Sequence, residues 1–456
     1  MRLDRKEKTA SMAACDVAAL LIAFAFALAA GHRRDLSAGL YWNYGWSVLV
    51  LVVTVLGYFV VIDAYALRGH TAQRFLQQTL LVFLGLVFSG ITSTLIFFFL
   101  RALVVPRGVF LLFLAGSFVL ISLFRFINIK LFSAFTAWRV LFVGDMKASM
   151  EMAQVISGKE YLRYHIAGYL SDDKVAVSRP GMPFLGRVSA VSRVVENEDI
   201  DQVIVTIRKI DKELIKLLLE CMQRKVEVSD LKKVTEEITG KVPIEYLDEY
   251  WFIMELLILN KKYFWYAKRT IDLIISAIGI AVTLPLLPLA ALAIKLDSPG
   301  PVFYSQTRVG RGGKPFRVWK LRTMVRDADK NNVHWTTAND SRVTRMGSFL
   351  RKVRVDEFPQ FLNILKGEMT LIGPRPEAAS LVELYTREIP FYAERHMVTP
   401  GATGWAQINY RYGNSIEDAR EKLKYDLYYI KHRNLVLDLV ILLKTIRTVA
   451  TGRGAI

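Results

Sequence analysis

Four long apolar runs open the chain: Met12 to Ala30, Trp46 to Ala66, Thr79 to Leu100 and Gly108 to Phe124. Each is close to the ~20 residues that a bilayer-crossing helix needs, the last a little short. They predict a four-helix transmembrane domain over 1–136. From residue 137 the pattern shifts. Val140–Val143 is a buried strand, Gly144 a turn, and Met146–Ile156 an amphipathic helix; 201–207, 212–224 and 226–231 repeat strand, helix, strand. That alternation predicts a Rossmann-like α/β domain over 137–245. Its first turn, GDMKAS, lacks the glycines that let backbone approach a pyrophosphate, so a dinucleotide site is poorly supported.

The third region, 246–456, begins with an aromatic and apolar stretch to Tyr266 that ends in lysines, a texture suited to a membrane interface. A fifth apolar run, 271–296, follows, but Pro285 and Pro288 interrupt it. Each proline removes an N–H and crowds the preceding turn, which predicts a broken, re-entrant helix that leaves on the face it entered. Next come two strand-like pieces around Gly310–Gly313, a hairpin with a cationic face carrying Arg308, Arg311, Lys314, Arg317, Lys320 and Arg322. Arg311 and Lys314, at the turn, suit solvent. A turn at Asn339–Arg342 and a helix over Gly347–Arg354 lead to two adjacent acids, Asp356 and Glu357. Pro359 fits the first turn of a helix, which puts the pair at a helix start. In Pro400–Trp405 the glycines are candidates to supply backbone donors, and Leu423–Val449 reads as helical, with an amphipathic end rich in Lys and Arg that suits the membrane surface. The fold class is thus a helical membrane protein plus α/β.

Charge adds a partner. The 456 residues hold 60 Lys and Arg against 42 Asp and Glu, a formal net charge of +18, which calls for anions: lipid headgroups or a phosphorylated substrate. Nucleic acid is the weaker choice because no recognition motif appears. Two cysteines, Cys15 and Cys221, make no disulfide framework, and six scattered histidines lack ligand spacing, so a metal here is a hard, oxygen-bound one. Arg2, Arg5, Lys6 and Lys8 favour a cytoplasmic N-terminus, and Arg125, Lys130 and Arg139 a cytoplasmic return, although Arg33 and Arg34 blur the rule. Asp16 and Asp63, near span ends, read as interfacial residues.

The candidate chemistry lies between Arg351 and Glu377. Adjacent carboxylates repel, and basic neighbours or a divalent cation keep both ionised. Arg351, Lys352 and Arg354 precede the pair and Gly373-Pro374-Arg375-Pro376 follows it. Taken alone, two acids in a basic setting describe a capped surface helix as readily as an active site for phosphate chemistry.

The stretches LDSPGPVFYSQTRVG, KLRTM, NDSRVTRMGSFLRKVRVDEFPQFLNILKGEMTLIGPRP and TPGATGWAQIN resemble the bacterial polyprenyl-phosphate phosphoglycosyl transferases. The large, multi-span form, which begins exopolysaccharide or O-antigen assembly, is the nearest in layout. The resemblance covers Lys268 to the C-terminus and implies catalytic roles for Asp356 and Glu357. Asp356 would attack the β-phosphate of a UDP-sugar, expel UMP and carry the phosphosugar until undecaprenyl phosphate displaces it. Glu357 would assist with Mg²⁺, which both acids would hold. Arg351 and Arg375 match positions near the nucleotide and phosphates, with Lys320, Arg322 and Arg308 as further substrate contacts. Pro285 falls on the family's helix break. Family members commonly place Ser before that proline; Leu284 stands here, and Thr283 is the available hydroxyl. The resemblance also implies the bacterial inner membrane, a cytoplasm-facing site and lipid as partner, while the α/β domain offers a surface for a homo-oligomer.

Two other classes share parts of the outline. Membrane-bound nucleotide-sugar dehydratases need a glycine-rich turn and a Tyr with Lys four residues on, and no tyrosine here has that spacing. A non-catalytic assembly protein predicts that Asp356→Asn retains function.

Overall fold

The computed structural model describes residues 5–31, 44–61, 71–100, 105–135, 138–159, 164–173, 178–207, 211–256, 262–325, 340–410, 413 and 415–450. Arg2, Arg33, Arg34 and Asp63 lie outside the described residues. Two compact units, Met1–Ile238 and Thr239–Ile456, divide the chain.

The first unit begins with helices α1 (Arg5–Gly31), α2 (Gly45–Val61), α3 (Thr71–Phe99) and α4 (Arg107–Phe135). Leu20, Ala23, Ala27, Phe59, Phe113 and Ile121 fill the space between them, while Phe26, Val53, Ile91 and Leu111 point outward. Helices apolar on their outer faces as well as inside suit a lipid surround, in which backbone polar groups must be satisfied within the helix. Ser11–Gly31, Gln78–Phe99 and Arg107–Ile127 are long and apolar enough to cross a membrane; Gly45–Val60 is a shorter apolar helix, and the rest of that expected run lies outside the described residues.

Asp16 departs from the interfacial expectation. It is buried, and Arg125 donates from Nη2 to its Oδ2 at 2.6 Å, with both side chains almost fully enclosed. Arg125 also donates to Gln78 Oε1 and lies over the Phe59 ring. All four helices therefore contribute to one buried polar knot. A cation with that many partners satisfies the acid better than an interface would.

The α/β part follows as β1 (Trp138–Val143), α5 (Met146–Ser157), β2 (Tyr164–Leu170), β3 (Phe184–Gly186), α6 (Val191–Asn197), β4 (Gln202–Val205), α7 (Lys212–Gln223), β5 (Glu227–Asp230) and α8 (Leu231–Thr239). The strands form one sheet in the order β3-β2-β1-β4-β5, parallel throughout. Leu141, Val143, Val203 and Val205 pack with Leu214, Leu218 and Cys221 of α7.

The second unit contains α9 (Glu249–Leu256), α10 (Lys262–Thr283), α11 (Leu287–Asp297), the strands β6 (Phe303–Val309) and β7 (Pro315–Leu321), α12 (Arg345–Lys352), α13 (Gln360–Lys366), β8 (Thr370–Ile372), α14 (Ala379–Glu388), β9 (Gly401–Thr403), α15 (Trp405–Asn409), α16 (Ile416–His432) and α17 (Leu435–Ala450). Phe264–Asp297 is the fourth segment apolar and long enough to span. Its α-helix is interrupted at Leu284–Leu286 by a 3₁₀ turn that contains Pro285. Thr283 Oγ1 donates to the Ile280 carbonyl at 3.3 Å, so a hydroxyl one residue ahead of Leu284 does serve the backbone at the break.

The first arm, α10, is pinned at Arg269, which donates to the Ile364 and Leu365 carbonyls, and at Asp272, which accepts from Thr370 Oγ1 and Leu371 N. In the second arm, Ile294 packs on Leu321 and Leu350. One expectation needs correction. The aromatic stretch before α10 is not uniformly interfacial, since Trp251 and Phe252 are buried, meeting edge to face, with Phe252 tilted against Phe391. The C-terminal segment is helical as expected but divided, because Asn434 Oδ1 accepts from Leu437 N and caps a fresh start.

Candidate active site

Helix α12 starts where Thr344 accepts from Gly347 N and ends two residues before the expected Arg354. Arg354 adopts a left-handed conformation, φ 61°, which stops the helix and turns the chain. The acid pair then occupies a 3₁₀ turn, Val355–Glu357, and α13 begins only at Gln360 with Pro359 as its N-cap. The pair therefore sits one turn ahead of the helix start predicted from Pro359. This short turn aims the two acids differently. Asp356 is 7% exposed, and its Oδ1 has no hydrogen-bond partner. Glu357 Oε1 receives Arg375 Nη2 at 2.7 Å and Lys320 Nζ at 3.1 Å.

The two carboxylates consequently separate in acidity. Burial, and then the negative charge of Glu357, push Asp356 above the usual carboxylate value, with Lys320, Arg351 and Arg354 pulling the other way. Burial would raise Glu357 too, but Arg375 and Lys320 overcome it and hold the acid well below its ordinary value. Burial pulls Lys320 down, opposed chiefly by Glu357. Adjacent acids driven apart in this way are an arrangement suited to dividing two roles.

The hairpin supplies the opposite wall. Gly312 and Gly313 take positive φ in its turn, and β6 and β7 pair antiparallel with Arg308 opposite Phe316 and Tyr304 opposite Lys320. Alternation puts Arg308, Val318 and Lys320 on one face. An open pocket is lined by these three with Gln360, Arg375 and Pro376. Arg308 is held there by the Pro376 carbonyl. Arg311 and Lys314 stay exposed at the turn, and Arg317, on the other face, is exposed too.

Five of the basic candidates part company at this point. Arg308, Lys320 and Arg375 line the pocket. Arg351 donates from Nε to Thr323 Oγ1 and acts on Asp356 through its charge. Arg322 lies elsewhere: buried, it donates to the Ser298 and Pro299 carbonyls and to Ser298 Oγ, fastening the end of α11. The Pro400–Trp405 turn also differs from expectation. Gly401 N donates to the Pro374 carbonyl and Gly373 N to that of Thr403, so these donors hold the GPRP loop instead of facing a ligand. The reason is close approach: a Cβ on Gly401 would lie 2.1 Å from Gly373 N, and one on Gly404 2.2 Å from Gly373 O.

Two functional positions escaped the sequence reading. Gln360 is buried and lines the pocket; its place in the first turn after the acids was the available signal. Arg395 donates to the Arg375 carbonyl and, with two nitrogens, to Asp426, which steadies the loop carrying Arg375. No pattern near Arg395 announced this role.

Residues 263–452 match the family described as bacterial sugar transferase, and 61–228 match a CoA-binding domain. The chain is 42% identical over 240 residues to the UDP-N-acetylgalactosamine-undecaprenyl-phosphate N-acetylgalactosaminephosphotransferase of Aeromonas hydrophila, covering 53% of this chain and 56% of that protein. It is 33% identical over 392 residues to the UDP-glucose:undecaprenyl-phosphate glucose-1-phosphate transferase of Xanthomonas campestris pv. campestris, covering 80% and 79% respectively. A Caulobacter vibrioides protein of the latter name is 45% identical over 190 residues, 41% of this chain and 71% of that protein.

The CoA-binding description does not fit the start of α5, where a pyrophosphate would bind in a nucleotide fold. There Asp145 accepts from Ala148 N and Asp173 from Met146 N, so two carboxylates already occupy the donors. The sugar transferase match falls within the second unit, and the Xanthomonas alignment covers 80% of the chain. The chain belongs to the bacterial sugar transferases, as an enzyme of the polyprenyl-phosphate phosphoglycosyl transferase type.

Proposed function

We propose that this chain transfers a sugar 1-phosphate from a UDP-sugar to undecaprenyl phosphate, releasing UMP, as the first step of a surface polysaccharide. The observation that carries the reading is the unequal acid pair, in which Glu357 binds Lys320 and Arg375, two of the three cations that line the neighbouring pocket with Arg308. Three cations suit a diphosphate, and Arg suits bidentate contact with phosphate oxygens.

In the first step an Asp356 oxygen bonds to the β-phosphorus, and the bond from that phosphorus to the bridging oxygen breaks, its electron pair leaving with UMP. In the second, an oxygen of the lipid phosphate attacks the same phosphorus and the Asp356 carboxylate departs. A carboxylate nucleophile gives a mixed anhydride reactive enough for this displacement. Lys320, Arg351 and Arg354 favour the ionised Asp356 that the attack requires. Lys320 and Arg375 keep Glu357 negative next to it, so the site holds a fixed anion and a more basic one side by side.

The residues fit Mg²⁺. Asp356 Oδ1 is buried and unpartnered, and a Mg²⁺ site commonly uses one or two carboxylates completed by substrate phosphates. Asp356 and Glu357 would hold the ion, which would neutralise charge on the diphosphate.

The broken apolar segment is read as re-entrant. A straight helix from Arg269 to Asp297 would separate its ends by about 40 Å at 1.5 Å per residue. Yet Arg269 binds the end of α13, and Asp297 accepts from Met346 N at the start of α12. Both arms returning to the same short stretch around the acid turn supports entry and exit on one face, with the site at the cytoplasmic side of the inner membrane. The α/β part, with its doubly wound strand order, is read as a Rossmann-type accessory domain and a surface for homo-oligomer contact.

The test is to incubate the purified protein with Mg²⁺, undecaprenyl phosphate and a panel including UDP-glucose and UDP-N-acetylgalactosamine, and to follow UMP. Release with one sugar supports the reading and names the substrate; none with any sugar sinks it. For topology, a cysteine introduced after Lys295 should be labelled from the cytoplasmic side alone.

A further inference from the structure

Lys320 reaches Glu357 from a strand that has a partner strand on one edge only in its two-stranded sheet. On the other edge, among the described residues, the side chain of Asn363 bonds its backbone. Asn363 of α13 is fully buried; its Oδ1 accepts from Trp319 N at 3.3 Å, and its Nδ2 donates to the Arg317 carbonyl at 2.7 Å. Backbone groups two residues apart lie on the same edge of a strand, so the amide of Asn363 pairs with β7 as a peptide group of a third strand would. Its second N–H goes to Glu368 Oε2 at 2.7 Å, and its own carbonyl accepts from Glu368 N and Met369 N. Every donor of the side chain is used, which fixes its orientation.

We infer that Asn363 is a positioning residue that sets the distance between Lys320 and Glu357. It joins the strand carrying the lysine, at the residue before it, to the helix whose leading turn carries the acid. Replacing the amide would leave the Arg317 carbonyl and Trp319 N–H unpaired against the buried face of α13 and free β7 to drift from the acid turn. A group that merely stabilised the fold would lower stability without altering how the lysine and the acid sense each other.

The inference assumes the catalytic role proposed above for the pair, but its decisive test does not use activity. Thermal unfolding of the full chain gives a double-mutant cycle for Lys320→Met and Glu357→Gln, measured in the wild-type and again in the Asn363→Ala background. The coupling between the two, read as the non-additive part of the Tm changes, should fall by at least half in Asn363→Ala. Equal coupling in both backgrounds overturns the inference. Should Asn363→Ala fail to fold, Asn363→Asp, which keeps the shape and the acceptor but loses the donors, enters the same cycle with the same criterion. In parallel, UMP release should fall in Lys320→Met and in Asn363→Ala, and fall no further in the double variant. A coupling that falls while no variant, wild type included, releases UMP supports the positioning role and rejects the proposed reaction instead.

Discussion

Two buried charge clusters of this molecule are built to opposite ends. In the helical bundle, Asp16, Arg125 and Gln78 close on one another, with an aromatic ring beneath the cation. In the second unit, Asp356 keeps an oxygen without a partner while the adjacent Glu357 takes two cations. A closed knot among apolar helices gives register to the bundle, since any slip would strand a charge where no water can reach it. An unbalanced cluster beside an open pocket has capacity left for a substrate and an ion. Burial alone therefore does not separate the two clusters; the unmatched carboxylate oxygen close to a pocket does.

The largest expected effect tests the open cluster. Asp356→Asn should lower UMP release by more than about a thousandfold, with or without the lipid acceptor, as loss of a nucleophile does. Normal turnover would remove the covalent step. The closed cluster predicts something different: Arg125→Leu or Asp16→Leu alone should destabilise the bundle by about 3–5 kcal/mol, and the double replacement should recover most of it. Thermal unfolding in detergent measures this, and single variants as stable as wild type would show the knot to be no lock.

A third prediction sets the adjacent acids against each other. The Glu357 value is depressed in the folded chain, so its contribution to stability is present above the ordinary carboxylate pKa and is lost as pH falls through the lower folded value. The Asp356 value is raised, so the folded chain favours its protonated form. That contribution is present below the ordinary pKa and is lost as pH rises through the higher folded value. Without Mg²⁺ at neutral pH, Glu357→Gln should therefore cost about 1–3 kcal/mol, and Asp356→Asn should stabilise. Unfolding followed against pH would reveal the opposite signs; equal signs would refute the division of roles. The smallest effect concerns Arg322. Lysine there should lower Tm by a few degrees, through lost carbonyl contacts at the end of α11, and leave the KM for UDP-sugar unchanged. A raised KM would return Arg322 to the substrate.

What the sequence disclosed follows the range of the interactions involved. Helices α1, α3 and α4, the strands around Gly144, the hairpin and the break at Pro285 are written in local apolar periods and turn residues. The acid pair and the cations Lys320 and Arg375 drew notice in the sequence through long flanking motifs, and the fold brings Glu357, Lys320 and Arg375 together. Arg322 was misjudged because its chemistry is that of Lys320 two positions earlier; only the fold puts one in the pocket and the other on the carbonyls of Ser298 and Pro299. Asp16, Asn363 and Arg395 were opaque for the same reason. Their partners lie on other elements, far along the chain, and a lone polar residue in an apolar run does not say whom it meets.

The junction of Gly373, Gly401 and Gly404 bears on how such an enzyme can diversify. Backbones that touch there leave no volume for any side chain, so the wall carrying Arg375 is closed to gradual change: a replacement at one glycine displaces the whole loop. The hairpin wall meets the same pocket through side chains, Val318 among them, with Gln360 of α13 also in the lining. Both walls carry cations, Arg308 and Lys320 on the hairpin and Arg375 on the loop, but only the loop side is locked by backbone contact, so variation enters such a site from the hairpin.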